Sequence, residues 1–450
     1  MKTLFSICVK CICYFCVFFK FFVLPICASE MKPVTLDTCK LNKFFSAIEK
    51  QYMGSVAISE GGKVVYIRSN GYADVATEKR ATQESVYMIG SISKTFTSLL
   101  TFMAVNEGKI KLTDNLQKFF PTYNIPNADS ITIDDLLYHK SGLFDIFEAG
   151  DDYLSWYTKP QSRDELLKRI AKGGAETEPR TRQKYCNAGY VLLTFILEDA
   201  FNMPYANLVE GRITRPLHLS STRYADGINI EKGDCRSYIY RNGWQLEAET
   251  HPSVPQGAGA LCSSPTELVR FGDALFHDVF SDSILARMKA RNGSIGRGLF
   301  PFNYYGNIGY GHTGGIDGFQ SVLAHFDEGD VTIAMCSNGN NLNQNDILIT
   351  ILDAVYGRDY EIPNFSFISV PKETLQRYVG IYENATLKMR LHITTDGKML
   401  TGQAEGQASF DMEATAENSF VCSKAGIAIT FENGNLTLHQ AGQDFIFKKL

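Results

Sequence analysis

The sequence predicts an α/β chain of the α+β type: an antiparallel sheet flanked by helices, an inserted helical lobe, and a small C-terminal all-β domain. Strand signals lie at both ends of a long first region and enclose a mainly helical middle, from about residue 110 to 290. That order suggests one sheet built from both ends of the region. Around residues 363–371 the texture changes, and short alternating strands dominate from there to the end. A chain of 450 residues is too long for one ordinary domain. The expected units are a leader over 1–28, the sheet-and-lobe domain over 33–360 and the β-rich domain over 372–450.

The leader is read from a short basic start, Met1-Lys2, followed by a Phe- and Cys-rich apolar stretch to Ala28. Lys10 and Lys20 interrupt that stretch, and a spanning helix wants about 20 apolar residues without a break. An apolar core ending at Pro25-Ile26-Cys27-Ala28, before polar Ser29-Glu30, fits a secretory signal peptide and predicts an exported, periplasmic or cell-envelope protein. A retained N-terminal anchor and lipidation at Cys27 are the alternatives, although Ile26 is larger than the small residue usual before a lipidated cysteine.

The first strands come from Val56-Ala57-Ile58 and Val64-Val65-Tyr66-Ile67, with Gly61-Gly62 supplying the hairpin turn. Met88-Ile89-Gly90 leads into a helix from 91 to about 106, where Ile92, Phe96, Leu99, Leu100 and Met103 recur at three- and four-residue steps. A second helix is expected over 187–201. Residues 319–325 and 331–337 form a late hairpin around Asp327-Glu328-Gly329-Asp330, and a helix over 346–356 follows. In the C-terminal region, strands at 391–393, 420–422, 427–431 and 445–447 are punctuated by Asp396-Gly397 and Asn433-Gly434-Asn435.

Composition narrows the function classes. Hydrophobic residues make up 44% and charged residues 21%, an ordinary globular balance. A net charge of −5 implies neither a basic face for nucleic acid nor an acidic tail. Of the 11 cysteines, Cys8, Cys11, Cys13, Cys16 and Cys27 fall in the leader; the other six are scattered without CxxC or Cys/His metal spacing. Buried free thiols are expected for most of these. No metal site and no nucleotide-binding glycine motif is apparent, so no cofactor is expected.

Three segments carry chemistry. In Ser91-Ile92-Ser93-Lys94 the serine and lysine are one helical turn apart and share a face. A serine hydroxyl needs a base within hydrogen-bond reach to become a nucleophile, and a desolvated lysine can be that base or hold its proton. At a helix start the Ser91 N–H can also receive an oxyanion. The pattern alone is weak: Ser29…Lys32 and Ser369…Lys372 match it too. Tyr185-Cys186-Asn187 adds a phenol that a neighbouring cation helps to ionise and an amide for a substrate carbonyl or for holding Lys94. Tyr240…Asn242, Tyr305…Asn307 and Tyr382…Asn384 share that spacing. In Gly311-His312-Thr313-Gly314-Gly315, glycines on a strand edge admit a substrate backbone. The Gly315 N–H is the candidate second oxyanion donor, and His312, Thr313 and Gly314 are candidates for binding polar substrate groups.

Taken in order, Ser-x-x-Lys, Tyr-x-Asn and His-Thr-Gly resemble the serine β-lactamase and penicillin-binding protein superfamily. The tyrosine variant looks like class C β-lactamases, D-aminopeptidases, D-Ala-D-Ala carboxypeptidases and related esterases. The spacings suit that family. The flanks agree with it as well: Ile89 to Thr97, Leu136-Leu137-Tyr138-His139-Lys140-Ser141-Gly142-Leu143, and Gly257-Ala258-Gly259-Ala260-Leu261. The resemblance covers about residues 40 to 355 and implies a serine hydrolase that forms an acyl-enzyme on Ser91, with Lys94 and Tyr185 catalytic. Asn187, His312, Thr313, Gly314 and Gly315 would serve binding and the oxyanion. The implied partner is a small-molecule or peptide acyl substrate, with cell-envelope association. Leu375 to Tyr382 is similar to the start of a β-rich module often appended to such hydrolases. Where class C β-lactamases carry Lys-Thr-Gly this chain has His312-Thr313-Gly314, and histidine is mostly neutral at pH 7. That departure argues against strong β-lactamase activity and for an esterase or peptidase. An acyltransferase using the same residues and a non-catalytic penicillin-binding sensor are the alternatives.

Overall fold

The computed structural model describes residues 35–450 except Ala149, Asn242, Asp278, Ala441 and Gly442. The leader and the Ser-x-x-Lys match at residues 29–32 lie outside the described residues.

The first hairpin forms as its sequence suggests. β1 (Tyr52–Glu60) turns through Gly61 and Gly62, both at positive φ, into β2 (Lys63–Asn70). The remaining strands of this sheet come from about 240 residues later: β3 (Phe300–Tyr304), β4 (Asn307–Ile316), β5 (Phe319–Phe326) and β6 (Val331–Asn340). Among the described residues the sheet order is β3-β4-β5-β6-β1-β2, antiparallel throughout. The chain ends of this domain therefore pair in the middle of the sheet, where Val56 faces Met335 and Ala57 faces Ala334.

Alternation along β1 sorts its side chains to two cores. Val56 and Ile58 pack with Phe44 and Phe45 of α1 (Thr38–Ala47) and with Ile347 and Ile351 of a later helix, Gln344–Val355. Ala57 points the other way, into the core of the helical lobe. That lobe holds α2 (Ser93–Asn106) and α3 (Asn187–Phe201), while α4 (Pro265–Phe276) packs on β1, β5 and β6; the 344–355 helix is α5. Among the described residues no helix is long and apolar enough to cross a membrane.

The lobe is less purely helical than the sequence suggests. Leu261–Ser263 pairs with both Tyr87–Met88 and Arg223–Tyr224, and Tyr238–Tyr240 with Trp244–Leu246. Strands of two or three residues are too short for an alternation to be legible. Helix α1 also escapes the pattern reading, although Asp37 caps it by accepting from the Lys40 N–H.

The C-terminal region forms a closed antiparallel barrel. Among the described residues it has eight strands between Gly380 and Lys449, the first pairing with the last through Tyr382 and Lys449. Leu391, Leu400, Met412, Phe420, Ile429, Leu436 and Phe447 fill its interior. The preceding linker is already part of it: the Ile368 N–H donates to the Ala414 carbonyl at 2.9 Å, and Val370 joins the barrel core. The six described cysteines outside the leader are free thiols, and all but Cys39 are buried.

Candidate active site

Ser91 sits on a single 3₁₀ turn, Gly90–Ile92, that feeds directly into α2. The turn is pinned from two sides. The Ile89 N–H donates to the Leu261 carbonyl at 3.0 Å, and Ser321 Oγ on β5 donates to the Ile89 carbonyl at 2.8 Å. Gly90 adopts φ +49° against the backbone of Gly315. A Cβ on Gly314 would stand 2.0 Å from the Ile89 carbonyl, so only glycine lets β4 come this close to the Ser91 turn.

Lys94, one turn into the helical run, is fully buried. Its Nζ donates to Ser91 Oγ at 3.0 Å, to Asn187 Oδ1 at 2.8 Å and to the Ala258 carbonyl at 2.7 Å. Such acceptors let a buried ammonium stand without water. The same Nζ lies 4.8 Å from the ring centroid of Tyr185. Cys186 is the N-cap residue of α3, so Tyr185 and Asn187 flank the helix entrance and are held against Lys94 together.

Tyr185 is packed between rings. His139 stacks on it at 4.4 Å between centroids, and His312 and Phe300 lie at 6.4 and 6.2 Å. His139 is buried at φ +55°, with Nδ1 accepting from the Cys186 N–H at 3.0 Å. Burial and the Lys94 charge push its imidazole well below the usual histidine range.

His312 is buried rather than presented to the cleft. It is 1% exposed, its ring lies 4.3 Å from that of Phe300, and its Nδ1 bonds the Thr313 carbonyl at 2.5 Å. Burial and then the Lys94 charge push its pKa down to about 3, so it is neutral at ordinary pH. Thr313 is half-buried and Gly315 is exposed beside the Ser91 turn.

The three motif segments thus meet, and the look-alikes that lie wholly among the described residues do not. Ser369 and Lys372 are exposed on the barrel linker, Tyr305 is exposed on the β3–β4 turn, and Tyr382 lies inside the barrel. Three further participants are not singled out by any motif rule. The Ala258 carbonyl and His139 belong to flanks quoted for the family resemblance, which was the available signal. Asp145 follows the second flank by two residues; it is buried and accepts from the Asn187 N–H and Nδ2, both at 2.8 Å.

A cavity of about 180 Å³ reaches Met88, just before the Ser91 turn, without being lined by any of the motif residues. Met88, Ala225, Ile228, Pro252 and Phe319 give it apolar walls, while Glu249 and Asp317 give it polar ones. Asp317 is pushed up to about 7, first by burial and then by the charges of Glu249 and Glu247.

A buried lysine bonded to a serine hydroxyl, beside a tyrosine and under a glycine-rich strand edge, is an arrangement able to activate the serine for acyl transfer. The β-lactamase family model matches residues 45–358, which take in all of these groups. The chain belongs to the β-lactamase family. Among its relatives, penicillin-binding protein 4* of Bacillus subtilis (strain 168) is 25% identical over 425 residues, covering 85% of this chain and 91% of that protein. Teichoic acid D-alanine hydrolase of Staphylococcus aureus is 27% identical over 230 residues, 51% of this chain and 55% of that protein. Among solved structures, the octameric penicillin-binding protein homologue from Pyrococcus abyssi aligns with a TM-score of 0.65 at 23% identity, over 92% of this chain and all of its own. The D-amino acid amidase from Ochrobactrum anthropi SV3 gives 0.62 at 24% identity, over 71% of this chain and 99% of its own. At these identities the two structures speak for the fold, which is that of β-lactamases and penicillin-binding proteins. This β-lactamase-family chain is a serine hydrolase.

Proposed function

We propose that Ser91 is the nucleophile of an exported hydrolase that cleaves an amide or ester through an acyl-enzyme. The single observation that carries this reading is the contact of the fully buried Lys94 Nζ with the half-buried Ser91 Oγ at 3.0 Å. Tyr185, ionised more easily beside the Lys94 cation, takes the Ser91 proton as the oxygen attacks the substrate carbonyl. The Ser91 and Gly315 N–H groups receive the oxyanion. Collapse breaks the bond to the leaving amine or alcohol, which takes the proton from Tyr185. The Tyr185 phenolate then takes a proton from water as the water attacks the acyl carbonyl, and returns it to Ser91 Oγ as the acyl–oxygen bond breaks and the acid leaves.

Lys94 supplies the fixed positive charge, and Asn187 with the Ala258 carbonyl holds it in place. Neutral, buried His312 offers no charge to a substrate carboxylate, so it supports β4 from behind while Thr313, Gly314 and Gly315 line the edge. This favours acyl substrates without a carboxylate to anchor over penicillins. D-alanyl esters and D-amino acid amides are the acyl class proposed, the chemistry named for the staphylococcal hydrolase and the Ochrobactrum amidase. An exported location is the one to which the leader read from the sequence would send this chain.

The test is a panel of p-nitrophenyl esters, a chromogenic cephalosporin, D-amino-acid amides, D-alanyl esters and D-Ala-D-Ala peptides, run on the wild type and Ser91→Ala. Ester or amide turnover that vanishes in Ser91→Ala, together with an acyl adduct located on Ser91 by mass spectrometry, supports the reading. Wild-type and Ser91→Ala proteins that behave alike, with no labelling by a fluorophosphonate, would leave a binding protein instead. Transfer to added alcohols or amines in preference to water would identify an acyltransferase.

A further inference from the structure

We propose that Asp145 is a positioning residue that fixes the amide of Asn187 and, through it, the ammonium of Lys94. The inference rests on the proposed roles of Ser91 and Lys94.

Asp145 is 2% exposed, in the loop that follows Leu143. Its Oδ2 accepts from the Asn187 backbone N–H and from Asn187 Nδ2, both at 2.8 Å. Its Oδ1 accepts from the N–H groups of Ala188 at 3.3 Å and Phe147 at 3.4 Å. Burial pushes the Asp145 carboxyl up, while these N–H groups and the Lys94 charge pull it back down; two N–H donors face each oxygen, so the carboxyl meets its neighbours as an acceptor. Lys94 on the other side is a donor only. The Asn187 amide therefore stands between an acceptor and an obligate donor, and one of its two orientations satisfies both.

That orientation sends Oδ1 to Lys94 Nζ at 2.8 Å. Turned by half a rotation, the amide NH₂ would meet the ammonium and its carbonyl would meet the carboxylate, two buried mismatches. Asn187 Oδ1 aims Nζ together with Ser91 Oγ and the Ala258 carbonyl. Losing Oδ1 frees the lysine head to swing away from the serine, and misplacement of that order is what costs an active site its rate. Asp145 also lies at the N-terminal end of the 15-residue helix α3, where a carboxylate is favoured. A capping role alone would make it a matter of stability, and that is the reading the experiment must separate.

A double-mutant cycle separates them. The kcat and KM of wild type, Asp145→Ala, Asn187→Ala and the double variant are measured on the best ester or amide of the panel. Ser91→Ala runs alongside, and thermal unfolding is recorded for each. Asp145→Ala is expected to lower kcat about 10- to 100-fold with KM within about threefold, and to cost less than about threefold when added to Asn187→Ala. Asp145→Asn is expected to recover part of the kcat loss, because its carbonyl can take the place of Oδ2, and to lower Tm, because its NH₂ then faces the Ala188 and Phe147 N–H groups.

A full loss repeated in the Asn187→Ala background, or wild-type turnover in Asp145→Ala, would overturn the inference. If Asp145→Ala does not fold, Asp145→Ser takes its place in the cycle and is read the same way. Its hydroxyl still accepts an N–H but can also donate, so it no longer dictates the amide. Turnover persisting in Ser91→Ala would sink the proposed function itself; a dead Ser91→Ala with an additive cycle would sink only the role of Asp145.

Discussion

A Cβ placed on Gly90 would stand 2.8 Å from the backbone nitrogen of Gly315, so the residue before Ser91 leans directly on the strand that carries the second proposed oxyanion donor. The contact joins a turn at residue 90 to a strand more than 200 residues later, and the pocket depends on it. Gly90→Ala must push β4 away and also force an alanine into φ +49°. Its kcat is expected to fall by about 10²-fold, the usual cost of a lost oxyanion donor, with a lower Tm. Unchanged kcat on the panel substrate would show that Gly315 does not take part.

Tyr185→Phe keeps the ring that stacks on His139 and removes only the phenol. If the phenol relays the Ser91 proton, kcat drops about 10²- to 10⁴-fold while KM moves little. Thermal unfolding should stay close to wild type, because the packing is kept. A loss confined to KM would place Tyr185 in binding instead.

His312 is held near a pKa of about 3 and so stays neutral across the working range. The acid limb of kcat/KM should therefore keep its midpoint in His312→Gln, whatever happens to the absolute rate. If a limb near pH 6.5 disappeared in the variant, His312 would be titrating in the free enzyme.

Asp317 gives a stability prediction with a definite sign. Its folded-state pKa is about 7, against about 3.9 in an unfolded chain. Between those values the folded protein holds the extra proton, so this group favours folding below about pH 4 and progressively ceases to do so up to about pH 7. Asp317→Asn mimics the protonated form: its carbonyl can accept from the Thr250 N–H and its amide can donate to Thr250 Oγ1, which now pair with the two carboxyl oxygens. The Tm of the variant relative to wild type should accordingly rise between pH 5 and pH 8, by roughly 3 °C or more. Parallel curves over that range would refute the assignment.

Much of the fold was legible because long elements repeat their pattern. The β1–β2 and β5–β6 hairpins, α3 and α5 each run eight residues or more with a continuous or periodic apolar pattern, and each was readable in place. The pairing of Leu261–Ser263 with Tyr87–Met88 was not, because two-residue strands carry no period. Nor was closure of the C-terminal strands into a barrel, which depends on Tyr382 meeting Lys449 across the whole module.

What the sequence by itself determined was a set of chemical types in order: hydroxyl and amine one helical turn apart, phenol and amide two residues apart, and a glycine-rich edge. Local rules suffice there, since neighbours along a helix or strand are neighbours in space. Only the tertiary structure decided which copies of those motifs count, that His312 is buried and uncharged, and that Asp145 and the Ala258 carbonyl complete the setting of Lys94. Those outcomes come from desolvation and from contacts between distant segments, and no spacing along one chain encodes either.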